Sequence, residues 1–250
     1  MMADPRFARL YDAQYRDFEL DLDLWRSFAR GADAVLELGC GSGRVLLPLV
    51  QAGQCATGVD HDPHMLARAS LRLSDSGPGT ATLVRADLIR LPFSPRFELA
   101  FAPLNTLATF AQTDLQKILA GVAGSLTAGG RLVCDLPNPL TALEEAPDPD
   151  EILDAFFEPE SGQAVQVHAA IEPLAGGNAY RVSWIYDLLD PQGRFEPVPF
   201  EQVFHLRSPD QLQDLGTPSG LALEETLGEY DGSPFGADST RLIAVFRRTQ

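Results

Sequence analysis

The chain has 250 residues, 45% of them hydrophobic, and sets 35 acidic residues against 19 Lys and Arg for a formal net charge of −16. Its length suits one elaborated α/β domain with a sizeable core. The acidity and the lack of a basic run argue against a nucleic-acid partner, which needs cationic groups to displace counterions from phosphate. No apolar run reaches the roughly 20 residues that span a bilayer. The N-terminal Met-Met-Ala-Asp-Pro-Arg has no apolar leader segment, so a cytoplasmic protein without a membrane partner is expected. Cys40, Cys55 and Cys134 lack zinc-type spacing and read as small hydrophobes in or beside buried strands.

In chain order, residues 7–15 form a short segment carrying Tyr11, Asp12 and Tyr15. Leu20, Leu22, Leu24, Trp25 and Phe28 then mark a helix packed on a sheet. An apolar strand over 35–38 feeds the loop Gly39-Cys40-Gly41-Ser42-Gly43, and an amphipathic helix follows at once. Alternate glycines let the backbone turn tightly and approach a ligand with no Cβ in the way, while the N–H groups opening the next helix point at whatever lies above. The dinucleotide fingerprint would place its third glycine where this chain has Arg44. A second strand over 55–60 ends in Asp60, about twenty residues beyond the loop, where a carboxylate can accept the hydroxyls of a ribose. Asp62 and Pro63 cap and open the next helix. A third strand over 81–86 ends at Asp87-Leu88, and a fourth over 97–102 runs into Pro103-Leu104-Asn105. A capped helix around 113–122 leads to Gly129-Gly130 and a fifth strand ending at Asp135.

Residues 138–162 read as a long loop with a helical turn around 151–157. Three strand-type runs follow, 164–171, 180–189 and 194–206, separated by Gly176-Gly177-Asn178 and Asp190-Pro-Gln-Gly193. They predict an inserted antiparallel sheet forming a wall of the substrate site or a homodimer contact. Ser208-Pro209-Asp210 opens a helix to Leu215, a sixth core strand covers 221–227, and a polar loop precedes an edge strand over 241–247. The expected fold is α/β: a doubly wound, Rossmann-like, seven-stranded and mostly parallel sheet with an antiparallel sheet inserted after strand five. The expected organisation is one domain: an N-terminal lid and helix (1–30), a cofactor core (31–137), the insert (138–207) and the rest of the core (208–250).

The acidic-x-Gly-x-Gly-x-Gly pattern, the strand-end acids Asp60 and Asp87, and the Gly-Gly-x-Leu entrance to strand five resemble the class I S-adenosylmethionine-dependent methyltransferases, in order and spacing. The resemblance covers nearly the whole chain, the insert by position only. It implies S-adenosylmethionine as cofactor, with S-adenosylhomocysteine as product. The implied cofactor residues are Tyr15, Glu37, Gly39, Cys40, Gly41, Gly43, Arg44, Asp60, His61, Met65, Asp87, Leu88 and Leu104. In the family the glycine loop cradles the amino-acid end, the residue after the ribose acid lies beside the adenine, and Asp87 with the Leu88 N–H meets that ring. The resemblance also implies that Asn105 faces the methyl group, and that the segment bearing Tyr11 and Tyr15 closes over the cofactor.

Methyl transfer from a sulfonium is an in-line displacement that needs positioning rather than a nucleophilic side chain. The catalytic candidates are Asn105, Tyr11 and Tyr15, ahead of Asn138, His168, His205 and Tyr230. His61 with His64, and Asp135 with Asn138, offer metal-ligating types but lack the adjacent Asp-Asn pair of metal-dependent relatives, so no metal is expected. The Asn/Asp-Pro-Pro-aromatic loop of base-amino methylation is absent after strand four. A small-molecule acceptor methylated at N or O is therefore the leading reading. The alternatives are a cofactor-binding but inactive regulator, a protein-directed methyltransferase, and an NAD oxidoreductase.

Overall fold

In the computed structural model, which describes residues 5–74, 76–144 and 147–249, α1 (Pro5–Tyr15) and α2 (Leu22–Ala29) precede β1 (Ala34–Leu38), α3 (Leu46–Gln51) and β2 (Cys55–Asp60). Next come α4 (Pro63–Arg72), β3 (Thr80–Arg85), β4 (Phe97–Ala102), α5 (Gln112–Ser125) and β5 (Leu126–Pro137). The chain continues through β6 (Asp154–Phe157), β7 (Ala164–Pro173), β8 (Ala179–Leu189) and β9 (Phe195–His205) to α6 (Pro209–Gly216), β10 (Leu221–Leu227) and β11 (Arg241–Arg248). Residues 1–4, on which the reading of the N-terminus partly rests, lie outside the described residues. No helix among the described residues is long and apolar enough to cross a membrane. Contacts group Glu19–Thr141 with the chain from Leu206 onward as one compact unit, and the chain up to Phe18 with Ala142–His205 as another.

The larger unit is a seven-stranded sheet in the order β10-β11-β5-β4-β1-β2-β3. Its pairings are parallel from β5 through β4, β1 and β2 to β3, while β11 runs antiparallel between β5 and β10. This is the expected fold. Strands buried on both faces read as continuous apolar runs, and Val35, Leu36 and Leu38 of β1 are each 0% exposed. Glu37 is the lone polar residue of that strand after Ala34. β1 pairs with β2 on one side and β4 on the other, so the chain order reverses at its carboxyl end, where such sheets hold ligands. Trp25 of α2 stacks on Phe101 of β4 at 5.4 Å, anchoring the helix on the sheet.

Local chemistry sets the helix ends. The Asp62 side chain accepts from His64 N at 2.8 Å, with Pro63 at the first turn. Ser208 and Gln211 form a reciprocal capping box at α6. The cap expected for α5 is missing: its N-cap residue is Ala111, which has no side-chain acceptor, and Thr113 and Asp114 already lie inside the helix. Leu20 is 75% exposed rather than packed with Leu22 and Trp25. Cys40 and Cys134 are buried, but Cys55 is exposed at the opening of its strand.

The smaller unit is a four-stranded antiparallel sheet, β6-β7-β8-β9, rather than three strands. In place of the helical turn expected at 151–157, residues 154–157 form a strand. Its alternation carries Phe156 toward the cluster of Val165, Val167, Tyr186, Leu188 and Val198, and leaves Phe157 75% exposed. Ladder bonds to β7 satisfy its backbone as an isolated turn would not. Helix α1 belongs to this unit. Leu10 is 0% exposed within the same cluster, Phe7 stacks on Phe200 at 3.8 Å, and the Tyr186 hydroxyl donates to Gln14 Oε1 at 2.7 Å.

Candidate functional site

The carboxyl end of β1 leads into the glycine loop, where Gly39, Gly41 and Gly43 have φ of 68°, 52° and 79°. A Cβ on Gly39 would stand 2.6 Å from Thr106 Cγ2, so the loop lies against the turn after β4. A Cβ on Gly41 would meet nothing within 4 Å, so that side of the loop opens outward. Cys40 N donates to Val59 O at 3.0 Å, tying the loop to β2.

Asp60 ends β2 and is buried. Its Oδ2 accepts from Gly41 N at 2.9 Å and its Oδ1 from Asp62 N at 2.8 Å. A carboxylate has about four acceptor sites, so each oxygen keeps capacity beyond these bonds. His61 is exposed, with Nδ1 3.5 Å from Asp60 Oδ1. Ala86 N donates to Asp60 O at 3.1 Å, bringing the end of β3 alongside. There Asp87 is exposed and caps a short 3-10 turn by accepting from Ile89 N at 3.0 Å. Leu88 and Met65 are buried.

Beneath the loop, Glu37 is 3% exposed. Its carboxylate takes the Leu46 N–H, while Oε2 is buried without a hydrogen-bond partner. Burial pushes its pKa well above the ordinary carboxylate range; Arg44 opposes that shift, and Asp21 and Asp60 add to it. Burial, with the Glu37 and Asp60 carboxylates, raises the Cys40 thiol as well, leaving it a poor nucleophile. The Arg44 guanidinium forms a two-pronged pair with Asp21 at 2.6 and 2.7 Å, and Asp21, 0% exposed, also accepts from Trp25 Nε1 at 2.8 Å.

On the other side of β1, the turn after β4 holds two consecutive non-glycine residues in left-handed conformation, Leu104 at φ 47° and Asn105 at φ 62°. Such residues cost about 1–3 kcal/mol each and cluster at functional sites. Leu104 N donates to Asp135 Oδ2 at 3.0 Å, and Asn105 Oδ1 is buried without a partner. Asp135, 0% exposed at the end of β5, also receives Arg241 Nε at 2.6 Å on Oδ1, and Arg241 NH2 and the Tyr230 hydroxyl at 2.9 Å each on Oδ2. The guanidinium lies 4.7 Å over the Tyr230 ring. Burial and then the Asp135 charge raise the Tyr230 phenol, so it stays a donor.

The fold thus places Glu37, the loop glycines, Cys40, Arg44, Asp60, His61, Asp87, Leu88, Leu104 and Asn105 at or just beyond the ends of neighbouring strands, and Met65 in the first turn of α4. Asn138 is engaged locally: Nδ2 donates to Ser239 O at 2.5 Å and Oδ1 accepts from Leu140 N. Tyr11 and Tyr15 belong to the smaller unit, their rings 4.6 Å apart on α1. His168, 3.8 Å from Asp187, and His205 at the end of β9 belong there too. The sequence reading missed Asp21, Arg241 and the clamping role of Asp135. The usable signals were an acid closing an otherwise apolar strand and an Arg opening the strand that pairs with it.

Residues 35–130 match the family described as methyltransferase domain. That match and the relatives that follow are consistent with a class I S-adenosylmethionine-dependent methyltransferase. An uncharacterised methyltransferase of Geobacillus kaustophilus is 30% identical over 131 residues, 49% of this chain and 56% of that protein, so the match spans only about half the relative's length. The cypemycin N-terminal methyltransferase of Streptomyces sp is 25% identical over 90% of this chain and 87% of its own. Among solved structures, an S-adenosylmethionine-dependent methyltransferase from Clostridium acetobutylicum has a TM-score of 0.78 at 16% identity, covering 98% of both chains. A sugar N-methyltransferase from Streptoalloteichus sp has 0.75 at 21% identity, covering 96% of this chain and 92% of its own. At these identities the structural likenesses speak for fold alone.

Proposed function

We propose that the chain binds S-adenosylmethionine at the carboxyl ends of β1, β2 and β3 and transfers its methyl group to a nitrogen of a small molecule. The observation that carries this reading is the strained Leu104–Asn105 turn, set against the glycine loop with the unpartnered Asn105 Oδ1 in it.

The residues fit the cofactor. The loop is open over Gly41, Asp60 keeps acceptor capacity beyond its two N–H partners, and Glu37 has a buried oxygen without a donor. When bound, the cofactor supplies a methyl group activated by sulfonium. Gly39 to Gly43 would cradle its amino-acid end, Asp60 would accept from the ribose, and Asp87 with Leu88, His61 and Met65 would hold the adenine. Asn105 Oδ1 would accept an N–H of the acceptor amine, aligning its lone pair and stabilising the positive charge that grows on nitrogen. An amide oxygen is no base, and Asp135 is occupied by Arg241, Tyr230 and the Leu104 N–H. That favours a neutral amine, which needs no base to attack, over a hydroxyl, which does. The name of one structural neighbour, a sugar N-methyltransferase, motivates the same choice.

The test is release of S-adenosylhomocysteine with glucosamine, a short peptide with a free amino terminus, and a catechol. Turnover of an amine, falling on the order of 10²-fold in Asn105→Ala, supports the reading. Turnover of the catechol alone overturns it.

A further inference from the structure

Four groups that titrate or carry charge face Glu37: Asp21 from the segment entering α2, Cys40 and Arg44 from the loop, and Asp60 from β2. Arg44, the one cation of the set, is locked onto both oxygens of Asp21. Asp60 is met by two backbone N–H groups. Glu37 is left with the Leu46 N–H on its carboxyl and a buried Oε2 that no donor reaches. An ionised carboxylate held that way has lost its hydration without replacement, which buried sites avoid by keeping the proton. Glu37 is therefore left without a cation of its own.

We propose that Glu37 is protonated in the cofactor-free protein and ionises as the ammonium group of the cofactor binds, so that cofactor binding releases a proton to solvent. This rests on the reading of the loop as the cofactor site and says how that site recognises its ligand: a buried carboxyl exchanges a proton for an ammonium. The linkage has a definite sign. A proton released on binding makes affinity rise with pH between the Glu37 pKa of the complex and that of the free protein.

The experiment is calorimetric titration of the full chain with S-adenosylhomocysteine in two buffers at one pH, phosphate and Tris, whose ionisation enthalpies differ widely. The buffer pair is used at about pH 7.5, where both buffer, and affinity is compared between about pH 6 in phosphate and about pH 8 in Tris, with wild type, Glu37→Gln and His61→Asn. Gln is close in shape to the protonated carboxyl and leaves no unpaired charge. In wild type the observed enthalpy should depend on the buffer in the sense of proton release, and affinity should rise with pH. In Glu37→Gln both effects should vanish. That variant should bind roughly tenfold or more weaker than wild type at the higher pH, the worth of a charge-assisted hydrogen bond, and the gap should narrow at the lower pH. His61→Asn, whatever its affinity, should keep the buffer dependence of wild type, showing that the exposed imidazole beside Asp60 is not the proton source. Binding with no buffer dependence in wild type, or with the same dependence in Glu37→Gln, overturns the proposal and leaves the cofactor reading standing. Absence of binding by every protein overturns the cofactor reading, and the proposal with it.

Discussion

Two buried carboxylates flank the centre of the larger sheet, and the protein treats them in opposite ways. Asp135, at the end of β5, is saturated: a guanidinium fork, a phenol and a backbone N–H fill its oxygens. Glu37, near the end of β1, has one oxygen with no donor. Burial raises both, but only Asp135 has a cation of its own, because the cation near Glu37 is bound to Asp21. The difference separates structure from function. A fold can bury a charge cheaply only when pairing is complete, so Asp135 serves as a brace holding the Leu104–Asn105 turn. On our proposal the incompletely paired Glu37 is completed by its ligand.

The largest way to break this contrast is to make Asp135 resemble Glu37. Arg241→Met removes the cation and leaves a fully buried carboxylate, which should cost about 3–5 kcal/mol of stability, read by urea unfolding. A cost below ~1 kcal/mol would show that the brace is not a true ion pair. Next is the ligand side of the contrast. Asp60→Ala should leave the fold intact but weaken S-adenosylhomocysteine binding by roughly ten- to hundredfold, corresponding to ~1.5–3 kcal/mol for hydrogen bonds to a charged group; unchanged affinity by calorimetry would remove Asp60 from the site.

A smaller effect is the loop–turn contact. Gly39→Ala puts a Cβ 2.6 Å from Thr106 Cγ2 at a positive φ, which should lower stability by about 1–3 kcal/mol and cofactor affinity with it. Normal melting and binding would mean that the turn yields freely. The smallest effect is the pH response of Glu37 itself. Its pKa is raised on folding, so the folded chain holds a proton that the unfolded chain releases above its ordinary carboxylate range. Stability therefore falls as pH rises toward the folded pKa. Glu37→Gln should remove that slope, gaining on wild type by up to about 1.4 kcal/mol per pH unit, read from melting curves without cofactor. A parallel pH dependence in the two proteins would mean that Glu37 is ionised throughout.

Much of the larger unit was legible from residues alone, because its signals are local. An apolar run followed by alternating glycines can only be a strand entering a tight turn. An acid closing a strand lies at the carboxyl edge wherever that strand sits, and Asp62-Pro63 or Ser208-Pro209 starts a helix by its own hydrogen bonds. The insert was read less well. A four-residue edge strand such as β6 has too few alternations to distinguish itself from a helical turn, and pairing with β7 decides it. Helix α1 was read through its tyrosines alone, and its packing into the smaller unit through Leu10 and Phe7 was not read.

The sequence by itself therefore determined the order of strands and helices in the larger unit, the glycine loop, and the acids at its strand ends, since each depends on neighbours within a few residues. Only the tertiary structure decided who pairs with whom. Arg44 reaches Asp21 across 23 positions and Arg241 reaches Asp135 across 106. The charge of a buried site is a sum over strands remote in sequence, so the unmatched oxygen of Glu37 emerges only after every other partner has been assigned.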